Sequence, residues 1–379
     1  MARRRPVNDV TIPTTPDPGS AVGYPLTPWH ARTVYAYGMV VWSTVHRIAG
    51  QLPCGDGYGE IAESWSVPAG EAANGAVLLS RWGHRVRLDG ALLGRSTVQP
   101  LRAALGAHGV DVSGLAFDES FEGYRDQVYT DGNERTVYGQ FRGHRASGLP
   151  RWLPASAVAI GDADLVLIDP WFAEDSERAA LLCQEAGRPY VTLDCRHDTT
   201  LHRYAAANVV SREYRRAEYP DTSDAALTAL FGEAGAGLCV FTNGRDPLQY
   251  FRRGVATDEH PIPQIQARIS VGAGDAFRAA IAHAISQGWG DRSGVAFAAR
   301  TAAAVCRTAP LAASPPELGG RPPSLRSRAD PGTVLEPSLG LGFARGGGHL
   351  GKHPSRRTGM GPSRRRSSRF LPSPRPVRG

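Results

Sequence analysis

The chain has 379 residues and a formal net charge of +7, but residues 310–379 alone carry +10, so residues 1–309 carry −3 and nucleic-acid binding by a folded part is not expected. Its only lysine is Lys352, which removes a Walker A loop, a protein-kinase β3 lysine and a Schiff-base enzyme from the remainder and leaves arginine for any cationic role. No run approaches about 18 apolar residues, no apolar stretch follows Arg3 to Arg5, and the five cysteines (54, 183, 195, 239, 306) form no CxxC pair; no membrane span, signal peptide, disulfide frame or zinc site is expected, and the setting is read as cytoplasmic.

Residues 1–32 are rich in Pro and Thr without apolar periodicity and are read as a disordered extension. From residue 33 short apolar strands alternate with amphipathic helices: strand 33–41, helix 71–83, strand 85–92, helix 98–109. Residues 126–141 differ, since two alternating segments flank Asp131-Gly132-Asn133 and predict a hairpin that joins residues 45–50 and 60–67 in a small extra sheet. The alternation then resumes with strand 164–169, helix 174–187, strands 189–194 and 207–211, helix 223–234, strand 237–242, and helices after 274 and 291. This order predicts an α/β fold, a doubly wound and mostly parallel sheet with a small β lid, over residues 33–308. Residues 309–379 are read as a disordered basic tail, because 24 of the last 70 residues are Pro or Gly. The arginines 364, 365, 366 and 369 could attract RNA, DNA or an acidic membrane surface, but only Phe370 is there to stack on a base.

In open α/β sheets ligands bind at the carboxyl ends of the strands, where Asp169, Asp194, Thr242 and the turn Gly272-Ala273-Gly274-Asp275 are placed by this reading. The glycine turn opens a helix, so its unpaired N–H groups form an anion site. An acidic Asp275 beside such a site is either a cap or a base.

Two stretches carry a more specific signal. "PAGEAANGAVLLSRWGHRVRLDGALLG" (68–94) with "LGAHGVDVSGL" (105–115) resembles the N-terminal signature of the ribokinase, or PfkB, family of carbohydrate kinases, and "SVGAGDAF" (270–277) resembles its C-terminal one. "ADLVLIDPWF", "GRPYVTLDCR", "ANVVSREY" and "VFTNGRDPL" stand between them in the family's order, so the resemblance covers about residues 33–308.

The resemblance implies a kinase that uses ATP with Mg2+. Asp275 would take the proton of the acceptor hydroxyl, and the amides of Gly272, Ala273 and Gly274 would hold the transferring phosphate. Gly70 and Asn74 match a substrate-facing segment, although the first glycine of that segment is Ala69 here. Thr242, Asn243 and Gly244 match a stretch near the nucleotide phosphates. Where the family has a sugar-binding aspartate after the first strand this chain offers Trp42 and Ser43, and Ile269-Ser270 replaces an Asp-Thr pair before the glycine turn. The Asn-x-x-Glu element is blurred into "VVSREYRR", so Glu213 and Asp194 are the candidate carboxylates for magnesium, which would be held mainly by phosphates and water. The expected acceptor is a sugar or sugar-like molecule such as a cyclitol. The alternatives are a nucleoside kinase, with Trp42 stacking on a base, and a catalytically weak ligand-binding member of the fold. A homodimer through the lid is a further expectation from the family.

Overall fold

The computed structural model describes residues 29–318 except 147 and 236. In chain order the strands are β1 (Thr33–Gly38), β2 (Val41–Ala49), β3 (Glu60–Ala69), β4 (Arg85–Gly90), β5 (Arg125–Thr130), β6 (Arg135–Gly139), β7 (Leu165–Ile168), β8 (Tyr190–Leu193), β9 (Ala207–Ser211), β10 (Leu238–Asn243), β11 (Asp246–Phe251) and β12 (Asp258–His260). The helices are α1 (Glu71–Arg81), α2 (Val98–Ala107), α3 (Phe141–Ala146), α4 (Ala157–Asp162), α5 (Glu174–Glu185), α6 (Thr200–Arg203), α7 (Arg212–Glu218), α8 (Asp224–Ala234), α9 (Ala273–Ser286) and α10 (Asp291–Cys306).

Eight strands form the main sheet in the order β12-β11-β10-β9-β8-β7-β1-β4. The pairs from β10 to β4 are all parallel, and β11 and β12 add an antiparallel edge. Crossovers run in both directions from β1, which places helices on both faces of the sheet. The central strands read Leu-Val-Leu-Ile (β7) and Tyr-Val-Thr-Leu (β8) and are buried throughout, as strands covered on two sides must be. Residues 276–284 of α9 are likewise all buried, so this helix has no solvent face along that stretch.

The second sheet has the order β3-β2-β5-β6. β2 pairs antiparallel with β3 and parallel with β5, and β5 pairs antiparallel with β6 across the turn at Asp131-Gly132-Asn133. This is the lid read from the hairpin signal. One boundary changes: the apolar run at 33–41 is two strands, because the chain leaves the main sheet after Gly38 and enters the lid at Val41.

The ends also differ from the expectation of a fold bounded at residues 33 and 308. Trp29 is 8% exposed and packs on His84 and His283. At the other end Leu311 and Ala312 are buried, and Trp82 Nε1 donates to the Pro316 carbonyl at 2.9 Å. A short apolar stretch among prolines suffices to dock the chain, and composition averaged over 70 residues hides it. The arginine-rich run and residues 1–28 lie outside the described residues. No helix among the described residues is long and apolar enough to cross a membrane.

Candidate active site

Because the strands from β1 to β10 run parallel, their carboxyl ends share one edge of the sheet, and Asp169, Asp194, Ser211 and Thr242 stand there together. Two helix N-termini open onto that edge. α1 begins after Gly70, whose φ of 100° suits glycine and whose Cβ would lie 2.4 Å from the Met39 carbonyl oxygen, so a side chain fits neither the backbone nor the space. α9 begins after Gly272, left-handed at φ 82°, with no side chain to cap the helix. The amides of its first turn therefore lack an intrahelical partner.

The two helices pack together and meet at a hydrogen bond. Asn74 Nδ2 donates to Asp275 Oδ2 at 2.8 Å. Asn74 is buried and Asp275 half-buried, while Gly274 is exposed. Asp275 lies in the first turn of α9, where the dipole favours a negative charge, but its side chain makes no cap bond.

Beneath the pair sits an ion pair that sequence reasoning missed. Arg278, fully buried on α9, donates through Nη1 to Asp169 Oδ1 at 2.6 Å and through Nη2 to the Glu71 carbonyl at 2.6 Å. Asp169 Oδ2 accepts from the backbone N–H groups of Met39 and Ala72, both at 2.8 Å. Burial pushes the Asp169 carboxyl above the usual range, against the pull of the Arg278 guanidinium. One carboxylate thus ties together β1, α1, β7 and α9. Glu71, the first residue of α1, is pushed up to about 8 by burial and then by the charges of Asp169 and Asp275.

The remaining candidates divide. Ser43 is buried, whereas Trp42, its neighbour in β2, is half-buried and points to the opposite face of the strand, as the pleat requires. Asn243 ends β10 and Gly244-Arg245 form the turn to β11, with Gly244 at φ 66°. The Asn243 side chain is already engaged, accepting from Arg215 Nη2 at 2.6 Å and donating to the Pro247 carbonyl at 2.8 Å. Thr242 is the penultimate residue of β10 and is half-buried.

Asp194 accepts from Ser211 N at 2.7 Å and from Ser211 Oγ at 3.0 Å. Burial pushes its carboxyl up to about 6 against those bonds, with Glu213 and Asp275 adding to the rise. Both of its oxygens are therefore in use, while Glu213 is exposed at the start of α7. Among the described residues no group of three or more His, Cys, Asp or Glu side chains could hold a metal ion. Among the described residues the side chains alone therefore form no cation cage, and Asp194 and Glu213 stand as single carboxylates.

A family model described as pfkB family carbohydrate kinase matches residues 39–318. No curated protein matches the chain. Among solved structures the fold is similar to a fructokinase with bound ATP from Xylella fastidiosa, at TM-score 0.59 and 18% identity over 75% of this chain and 95% of that one. It is similar to a ribokinase from Arabidopsis thaliana complexed with ribose and ATP, at TM-score 0.58 and 17% identity over 73% and 92%. A nucleoside kinase from Burkholderia thailandensis in complex with inosine gives TM-score 0.59 and 15% identity over 73% and 92%.

Proposed function

The chain belongs to the pfkB family of carbohydrate kinases, and we propose that it moves the terminal phosphate of ATP to a hydroxyl of a sugar or sugar-like small molecule. The observation that carries this reading is the Asn74–Asp275 hydrogen bond at the meeting of two helix N-termini. A base and an anion site share one turn there, as phosphoryl transfer needs the attacking oxygen beside the phosphorus.

In this reading Asp275 Oδ1 takes the acceptor O–H proton as the oxygen bonds to the γ-phosphorus and the bond to the leaving ADP breaks. Asn74 fixes the carboxylate through Oδ2 and leaves Oδ1 for the acceptor. The amides of Gly272, Ala273 and Gly274 face the charge of the transferring phosphoryl group. A helix terminus supplies up to about 2 kcal/mol, so the turn does not carry catalysis alone. Thr242 and the Gly244 turn, at the carboxyl end of β10, are proposed to lie along the nucleotide, through backbone and hydroxyl rather than the engaged Asn243 side chain.

Magnesium is proposed to arrive with the nucleotide phosphates, where it would neutralise their charge. Glu213 and Asp194 are left to act through water. The neighbours that hold ATP, ribose and inosine support the nucleotide and the class of acceptor, with a nucleoside among the candidates. A second copy is proposed to pair through the outer face of the lid, where His46 stacks on Tyr129 at 4.8 Å and Tyr138 is 65% exposed. The test is an ATP-consumption screen over sugars, cyclitols and nucleosides with magnesium present. Turnover on one class identifies the acceptor, and a flat panel at high enzyme concentration contradicts the kinase reading.

A further inference from the structure

The inner face of the lid is apolar at its centre and polar at two rungs, Ser43–Asp126 near the body and Arg47 with Glu63 and Thr130 further along. Side chains alternate along strands, so Val41, Ser43 and Val45 of β2 share a face with Asp126 and Val128 of β5 and Val67 of β3. Val45 and Val128 are 0% and 3% exposed, which marks this face as the one turned to the body. Two further contacts agree. The hairpin tip at Gly132 lies against the backbone of Ala267 and Arg268, and Glu63 of β3 pairs with Arg268 on the segment that runs into the Gly272 turn.

Two carboxylates lie on this face, and Glu63 is paired with Arg47 and Arg268, which leaves Asp126. Its neighbour across the strands is Ser43, whose hydroxyl lowers its pKa, and Oδ1 is buried with no partner. Burial raises the Asp126 pKa, and the Ser43 hydroxyl only partly offsets the rise. A buried acceptor without a donor costs free energy that the protein's own groups do not return. Its position shows what could supply the donor. The rung Val41–Ala69 directly precedes Gly70, and the rung Ser43–Asp126 is the next on that face, about 7 Å further out along the strand. The Ser43–Asp126 rung therefore lies one step along the face from Gly70 and the N-terminus of α1.

We propose that Asp126, beside Ser43, is a specificity residue that accepts a hydrogen bond from a second hydroxyl of the phosphoryl acceptor. The acceptor is then a polyol that presents one hydroxyl to Asp275 and another to the lid. This rests on the kinase reading above. Trp42, on the other face of β2, has no part in it.

The test uses the full chain with magnesium and ATP and the probes D-ribose, D-fructose, myo-inositol and inosine. For whichever probe the wild type phosphorylates, Asp126→Ala should raise its KM by about tenfold or more, with the KM for ATP unchanged. The exchange Ser43→Asp with Asp126→Ser, which returns the same two groups to swapped strands, should recover most of the loss. An unchanged acceptor KM in Asp126→Ala overturns the proposal. A second measurement needs no acceptor: Asp126→Asn should melt at or above the wild-type temperature, because the carboxylate serves a ligand and not the fold. Melting below wild type assigns the Ser43–Asp126 pair to lid stability and overturns the proposal. If no probe is phosphorylated, the kinase reading is what fails, and the melting comparison alone decides the role of Asp126.

Discussion

Asn74 and Asp275 share a 2.8 Å hydrogen bond although 201 positions separate them in the chain. The bond fixes one carboxylate oxygen and leaves the other for a ligand. Asn74→Ala removes it without adding charge, and hydrogen bonds to charged groups are worth about 1.5–3 kcal/mol. Turnover in this variant should fall by roughly 10- to 150-fold, with the KM for ATP nearly unchanged, in steady-state kinetics on an identified acceptor. Wild-type turnover would mean that Asp275 is positioned by other groups.

The Arg278–Asp169 pair predicts a large loss of stability from a single change. Arg278→Met leaves Asp169 buried with its Met39 and Ala72 amides but without its counter-charge. Breaking a buried pair costs about 3–5 kcal/mol, read as a shift of the urea midpoint. Combining it with Asp169→Asn should return part of that, since the amide oxygen still accepts a backbone N–H. A single variant as stable as wild type would show that the pair holds nothing together.

How much of this was legible depends on what each residue's neighbours say. The parallel sheet, the lid hairpin and the Gly272 turn could be read because alternation, Asp-Gly and Gly-rich helix starts are local signals. Arg278 could not, since an arginine in a helix normally marks its exposed face. The available signal was the run of Ala, Phe and Ile around it, which leaves the helix no exposed face. β11 was missed although Asn243-Gly244 announces a hairpin, because Pro247 so close behind reads as the start of a loop. Asp126 sat inside a segment correctly read as strand, and only strand register brings it opposite Ser43.

Stability should fall in mild acid because of two buried histidines. Burial, then the Arg32 charge, pushes His84 down to about 4, and burial with His84 pushes His283 down to about 3. The rings are 2.9 Å apart at His84 Nε2 and His283 Nδ1, and His283 packs among Trp29, Trp82, Trp289 and Phe297. Above the ordinary imidazole value of 6.5 both folded and unfolded chains are neutral, so this contribution is fully present. Below it the unfolded chain takes protons that the folded chain refuses, and stability is lost until pH reaches the folded values. The loss at pH 5 is roughly 2 kcal/mol per histidine. His283→Phe keeps the ring contacts and should flatten the fall of Tm between pH 7 and 5; an unchanged slope would place the acid sensitivity elsewhere.

Pairing of two copies through the lid predicts that Tyr138→Glu, which puts a charge on the exposed aromatic face, shifts sedimentation from dimer to monomer without loss of fold. A wild-type chain that sediments as a monomer at all concentrations contradicts that pairing.

The central claim is that Asp275 is the base and not a cap, and Asp275→Asn separates the two. Asn keeps the side-chain shape and caps a helix as well as Asp does, so as a cap it would cost little in anything measured. It cannot take a proton. The measurement is single-turnover transfer from radiolabelled ATP to the identified acceptor, made beside a melting curve of the same sample. The melt should be unchanged and transfer slower by roughly 10²–10⁴-fold. Transfer at the wild-type rate in the folded variant would contradict it and remove Asp275 from the chemistry.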